Sequence, residues 1–353
     1  MFGSQRNRMT GIGRSIRRVM EIEGVVLPAF IHNGGYFFIN LPIYADGLVD
    51  AWELLDRQLF EEKLAQGWVT TSVPDGESIY VHGLGSWGIR GGEWKLSPRQ
   101  LGDLVQKCVR ELNPEMTNLY NCHGRTTRKV GKVNVSILGM PKPTPVRPKD
   151  ESPLTSLSRG RSLSVFSREG DTSYLADLRV FEDGFLEIGR LPTPRTLPRN
   201  ALAAEISVGR LFTKPGEGQR VHIDQLGSFI VDSEDWTITP DDLLLETADL
   251  FAELSGQLTS IQKCRACYDA FLAAPTVANR EALREAYEAV PEHKRMYLGD
   301  MDTKDVPIRM IIYGKQELEN WSHRIVARDL GVSPLPTISV PDVLPDGGET
   351  PED

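Results

Sequence analysis

The densest run of side chains that could do chemistry is Gly299-Asp300-Met301-Asp302-Thr303-Lys304-Asp305, preceded by His293 and Arg295. Carboxylates spaced along a loop can offer oxygen ligands to a hard divalent cation, and a cation held there could support catalysis. The run starts like a calcium loop, but it lacks that loop's sixth-position glycine and its closing glutamate. Asp and Gly also build ordinary turns, and Lys304 would partly neutralise the carboxylates. The candidate binding residues are therefore Asp300, Asp302, Asp305, His293 and Arg295.

A second cluster is basic. Arg125, Arg128, Lys129 and Lys132 are followed by Lys142, Arg147 and Lys149, then by Arg159, Arg161 and Arg168. Cations on a connector can grip phosphates or an acidic partner, so Arg125, Arg128, Lys129 and Lys132 are candidate contacts for nucleic acid or an acidic protein. Aromatic residues for base stacking are sparse there, with Tyr120 and Phe166 on the flanks. A solubilising linker explains the same charges.

Other motifs weaken on inspection. Cys264-Arg-Ala-Cys267 has metal-ligand spacing, and Cys122-His123 could complete a site. Yet Cys264 falls on an apolar helical stripe with Ile261, Tyr268 and Phe271, where cysteine packs as a small hydrophobe. Gly83-Leu-Gly85-Ser-Trp-Gly88 matches the dinucleotide loop by letter, but a strand follows it where a phosphate loop needs a helix N-terminus. No motif requires a cofactor or a structural metal.

These residues are positioned by a duplicated scaffold. Residues 67–112 and 209–254 align without a gap at an offset of 142. Gly67, Thr71, Gly76, Leu84, Gly85, Ser86, Trp94 and Pro98 meet Gly209, Thr213, Gly218, Leu226, Gly227, Ser228, Trp236 and Pro240. Upstream, Leu41–Gly47 matches Leu178–Gly184 at an offset of 137. A fixed internal period means one structural unit used twice. The second copy reads Gln225-Leu-Gly227-Ser-Phe-Ile230 at the would-be nucleotide loop, keeping only the middle glycine. Cys108 stands where the other copy has Leu250, so its thiol packs as a small hydrophobe, whereas His82 and His222 meet Asp224 and Tyr80, so neither histidine belongs to the shared fold.

Each copy reads as strands followed by a helix. Val25–His32 and Tyr36–Tyr44 alternate as strands, Asp46-Gly47 marks a tight hairpin, and Leu48–Leu55 runs back. A short helix fits Asp56–Gln66. Ser97-Pro98 and Thr239-Pro240 each place a hydroxyl N-cap before proline at the first helical position. A further hairpin is expected near His123-Gly124 or Val130-Gly131. Beyond the second copy the pattern predicts helices through Phe271 (one long, or two broken at Ser255-Gly256) and over Thr276–Val290. A short strand at Ile308–Tyr313 and a helix over Gln316–Leu330 then follow.

At Pro291-Glu-His-Lys-Arg295, Gly299-Asp-Met-Asp302, Tyr44-Ala-Asp-Gly47 and Gly67-Trp68 the chain resembles bacterial proteins made of domains of unknown function. The resemblance implies no activity and assigns no functional residue.

The expected fold is α+β: tandem duplicated antiparallel β-sheet units, each closed by a C-terminal helix, then a helical or αβ C-terminal segment; the two units form either separate barrels or two halves of one pseudo-symmetric domain. The boundaries are a basic arm at 1–19, a first repeat with an extra hairpin at 20–138 and a Pro/Ser/basic linker at 139–160. The second repeat follows at 161–255, the C-terminal segment at 256–332 and an acidic tail at 333–353. Residues 1–150 carry a net charge of +4 and residues 151–353 carry −13, a balance that argues against phosphate binding along the whole chain. No apolar run approaches the ~20 residues that span a bilayer, and four cysteines in 353 residues suit a reducing cytoplasm. Because the copies share turn glycines, helix caps and core residues but no polar triad, the preferred reading is a cytoplasmic, non-enzymatic binding or adaptor protein with a protein partner and no membrane. Nucleic-acid binding through the sheets and the basic connector is the alternative. A metal-dependent enzyme centred on Asp300–Asp305 is the second.

Overall fold

A computed structural model describes residues 14–18, 22–120, 127–130, 133–136, 143–148, 157–333 and 337–344. The chain divides into two compact units, Met1–Thr237 and Ile238–Asp353.

The first unit is built from the repeat. The first copy contributes β1 (Arg14–Arg18), β2 (Ile22–His32), β3 (Tyr36–Tyr44), β4 (Val49–Asp50) and β5 (Leu54–Leu55), then α1 (Arg57–Ala65). It continues with β6 (Val69–Thr70), β7 (Ser78–Val81), β8 (Gly85–Trp94) and α2 (Pro98–Leu112). A separate hairpin of β9 (Thr127–Val130) and β10 (Val133–Ser136) follows, registered Val130 to Val133. The second copy contributes β11 (Thr144–Pro148), β12 (Leu157–Glu169), β13 (Thr172–Phe181), β14 (Phe185–Gly189), β15 (Arg195–Pro198), α3 (Leu202–Ser207), β16 (Leu211–Phe212), β17 (Arg220–Ile223) and β18 (Gly227–Thr237).

The two copies are halves of one closed barrel rather than separate sheets. Ten strands run β1-β2-β3-β7-β8-β18-β17-β13-β12-β11 and return to β1. Each half has the same internal order, including one parallel pair, β3 with β7 and β13 with β17. The halves join at two antiparallel seams, β8–β18 and β1–β11. Two segments therefore do more than the sequence suggested. Residues 14–18, read as part of a basic arm, and 144–148, read as linker, are the strands that close the ring.

Alternation within the strands sets the layers. Phe37, Ile39, Leu41 and Ile43 on β3 pack with Leu101, Val105, Cys108 and Val109 of α2 on the outer side. The opposite face lines the interior, where Trp87 of β8 meets Phe166 of β12 edge-on at 5.0 Å. The glycines of the supposed nucleotide loop serve the β8–β18 seam. A Cβ on Gly85 would lie 2.6 Å from the Trp236 carbonyl oxygen, and one on Gly227 2.3 Å from that of Glu93.

The second unit opens with α4 (Pro240–Leu254), followed by α5 (Ser260–Ala273), α6 (Val277–Glu288), α7 (Val306–Tyr313) and α8 (Ser322–Leu330). The predicted strand at Ile308–Tyr313 is helical: Pro307 sits in the first turn, and an apolar run of that length suits a buried helix as well as a strand. The predicted helix at Gln316–Leu330 is a 3-10 turn at Lys315–Asn320 followed by α8, with Trp321 between them in extended conformation. Leu48–Leu55 is likewise two short strands, β4 and β5, separated by a turn. Both expected caps are present as capping boxes, Ser97 with Gln100 and Thr239 with Asp242.

Candidate functional site

The acidic loop holds itself together. Asp300 Oδ1 accepts the amides of Asp302 (3.0 Å) and Thr303 (2.6 Å) and the Thr303 hydroxyl (2.8 Å). Those bonds, the Thr303 amide foremost, hold the Asp300 carboxyl below its ordinary range. The Asp302 carbonyl takes the Trp321 indole N–H at 2.9 Å, and Asp305 Oδ2 takes the Tyr287 hydroxyl at 2.7 Å. Arg295 lies over the Tyr287 ring at 4.9 Å and donates to the carbonyls of Val290 and Glu288. His293 points elsewhere, its Nε2 lying 3.7 Å from Glu246 Oε2. The structure thus links Asp305 and Arg295 through Tyr287 but gathers no shared site from the five candidates. Among the described residues, no group of three or more His, Cys, Asp or Glu side chains could hold a metal ion.

The basic segment is also largely engaged where it is described. Arg147 pairs with Asp183 at 2.7 Å, Arg159 with Glu182 at 3.0 Å, and Arg168 covers the Phe212 ring at 5.3 Å. Arg128 and Lys129 lie on β9, paired in register with Val135 and Asn134. Arg125 and Lys132, like Cys122 and His123, lie outside the described residues. Cys264 is fully buried in the core of the second unit, and burial pushes its thiol up to about 12. Cys108 is buried under α2 with its thiol pushed up to about 11 for the same reason.

A different cluster stands on the outer face of the first half-barrel. Between β4 and β5 the chain turns through Trp52, whose φ of 68° is left-handed, a conformation that costs a bulky residue roughly 1 kcal/mol or more. The Asp50 carboxylate accepts the Trp52 amide, and Ala51 N–H bonds to Glu53 C=O at 3.0 Å, which fixes the turn. The Trp52 ring then meets Phe37 edge-on at 5.0 Å and Trp68 at 6.0 Å. Phe37 stacks on Tyr80, its register partner on β7, at 5.1 Å. Gly35 makes room, since a Cβ there would approach the Tyr80 ring to 2.9 Å. Lys63 of α1 places its ammonium over the Trp68 ring at 4.5 Å and lies 3.4 Å from Glu53. Trp52 remains 44 % exposed and Tyr80 36 %.

Residues 14–116 and again 154–258 match the model of a family described as Domain of unknown function (DUF7638). The chain belongs to the DUF7638 family. Residues 259–331 match a second model, Domain of unknown function (DUF7639). No curated protein and no solved structure matches the chain. No helix among the described residues is long and apolar enough to cross a membrane.

The two DUF7638 repeats differ at the aromatic face. Phe37 and Tyr80 correspond to Tyr174 and His222, which also touch, at 5.7 Å and tilted. Lys63 and Trp68 correspond to Glu205 and Arg210, which form an ion pair at 2.5 Å joined by Arg195. At the turn, Trp52 faces Gly189, and the left-handed residue there is Arg190, 94 % buried over the Phe38 ring of the other half at 4.7 Å. One repeat turns this position inward to tie the halves; the other presents an indole. The face does not stand out in the sequence, because its aromatic residues are not among those the copies share. The contrast Lys63/Trp68 against Glu205/Arg210 was visible in the alignment.

Proposed function

We propose that this protein is a non-enzymatic binding or adaptor protein whose partner contact is the aromatic face of the first DUF7638 repeat. The observation that carries this reading is Trp52, held in a left-handed turn and half exposed above Phe37, Trp68 and Tyr80. Large rigid aromatic side chains give much contact area for little lost rotamer freedom, and Trp and Tyr dominate the energetic centres of protein interfaces. The second repeat supplies the same backbone with a polar, ion-paired surface, so the aromatic face is not a demand of the fold. The free thiols Cys108, Cys264 and Cys267 favour a reducing compartment, which we take to be the cytoplasm.

The test is photo-crosslinking in cells with a benzophenone amino acid at position 52 or 80, set against second-repeat positions 174 and 222, which match Phe37 and Tyr80. Protease-sensitive protein adducts are expected from 52 and 80 and not from 174 and 222. Adducts that are nuclease-sensitive, equal from both faces, or absent overturn the proposal.

A further inference from the structure

The two seams of the barrel are unequal. The β8–β18 seam runs from Gly85 opposite Thr237 to Trp94 opposite Gly227. The β1–β11 seam registers only Ile16 with Pro145 and Arg17 with Thr144 among the described residues. On its other edge β11 pairs with β12 over Val146–Pro148. Pro145 and Pro148 bring no N–H to either neighbour. Next to the last registered pair, the Ser15 carbonyl accepts Arg179 NH1 at 3.3 Å, a side chain from β13.

Arg179 is 3 % exposed and pairs with Asp177, 1 % exposed, at 2.9 Å. A buried ion pair costs desolvation that an apolar pair avoids, so its presence invites a reason other than stability. The first repeat has Pro42 and Asn40 at the matching positions, so half-barrel packing does not require the charges. The pair sits on the interior face of β13 and reaches across to the first strand of the other half.

From this we infer that the barrel opens at the β1–β11 seam and that Arg179, braced by Asp177, is the latch that holds β1 closed. Arg179 gives Ser15 a side-chain bond just beyond the last registered β1–β11 pair. Release of that bond frees the edge of β1 and gives access to the barrel interior through one defined gap. The β8–β18 seam stays shut throughout.

The test uses thiol labelling of the full-length protein, resolved by peptide mapping so that native cysteines do not interfere. Ile16→Cys reports the β1–β11 seam, and Ile89→Cys, opposite Val231, reports the β8–β18 seam; both native side chains are at most 2 % exposed. The first thiol is expected to be modified at least about tenfold faster than the second, as sub-global opening allows. Arg179→Lys keeps the charge beside Asp177 but loses the fork that reaches both Asp177 and Ser15. It should speed labelling at position 16 by a further ~10-fold and leave position 89 unchanged. Equal rates at 16 and 89 in the parent, or an Arg179→Lys effect that is absent or equal at both positions, overturns the inference.

Discussion

Arg18 and Arg147 are counterparts across the β1–β11 seam: each lays its guanidinium over an aromatic ring and pairs with the aspartate two residues beyond that ring. Arg18 covers Tyr44 at 5.0 Å and pairs with Asp46. Arg147 covers Phe181 at 5.4 Å and pairs with Asp183 at 2.7 Å. Tyr44 and Asp46 match Phe181 and Asp183 in the repeat, so the clamp is duplicated with the fold. The two are not equally shielded, because the Arg18 side chain is 7 % exposed and that of Arg147 is 22 %. Arg18→Met should therefore cost about 3 kcal/mol, as expected for a carboxylate stranded in a largely buried pair. Arg147→Met should cost about 1 kcal/mol. Urea unfolding of the two variants in parallel measures the difference, and equal losses would contradict the asymmetry.

Gly85 and Gly227 sit at matched positions at the two ends of the β8–β18 seam, each with a backbone carbonyl where a side chain would be. Gly227→Ala must displace Glu93 C=O, and its φ of 153° gives little room to adjust. A loss of about 3 kcal/mol is expected, at the upper end of overpacking effects. Gly218→Ala meets nothing within 4 Å and is the matched control for left-handed strain alone, at about 1 kcal/mol. Thermal unfolding distinguishes the two, and a smaller loss at 227 than at 218 would refute the seam reading.

The duplication was legible because turn glycines, capping hydroxyls and core positions recur at fixed offsets, and those are local demands of the backbone. Closure into one barrel was not. It depends on Ile16 meeting Pro145 and Arg17 meeting Thr144, strands that carry charge and proline and lack the alternation that marks a half-buried strand. Ile308–Tyr313 fits a strand by pattern because a short apolar run looks the same when buried in either form. The carboxylates of residues 300–305 were legible as a cluster, but a linear spacing does not say that Asp300 would commit its Oδ1 to its own loop and Asp305 its Oδ2 to Tyr287. Trp52 was hidden for another reason: a left-handed tryptophan violates local preference, and such violations surface only once the backbone is seen.

Glu246 offers a pH-dependent test of how the second unit is tied together. It is 3 % exposed on α4, where the first repeat has Leu104, and it faces Lys294 and His293. Burial pushes its carboxyl up, but His293 and the Lys294 ammonium outweigh that push and leave it below its ordinary value of 4.5. A carboxyl depressed in the folded state contributes its full stability above the unfolded value and loses it as pH falls through the folded one. Glu246→Gln should therefore cost about 2 kcal/mol at pH 7, a difference that shrinks as pH drops below 4.5. Urea unfolding at several pH values reads the trend. A Glu246→Gln penalty that persists undiminished at the lowest pH would show that packing, and not charge, holds 292–294 to α4.

The repeat also permits an exchange that separates scaffold from contact surface. The double variant Lys63→Glu/Trp68→Arg installs in the first repeat the pair that Glu205 and Arg210 form in the second. Both positions lie on corresponding elements, α1 with α3 and the approaches to β6 and β16, so the backbone already accommodates an ion pair there. The exchange removes a half-buried cation–π contact, the Lys63–Glu53 ion pair and the packing of Trp68 on the core, and returns one ion pair. Stability should fall by about 2–3 kcal/mol, short of unfolding the protein. The indole of Trp52 would lose its edge-on neighbour at 6.0 Å, and crosslinking from position 52 should fall several-fold with the fold intact. If the protein stays folded and crosslinking is unchanged, Trp68 is scaffold and the contact is confined to Trp52, Phe37 and Tyr80. If stability collapses instead, the two repeats differ in backbone at this face, and the equivalence drawn between Lys63/Trp68 and Glu205/Arg210 fails.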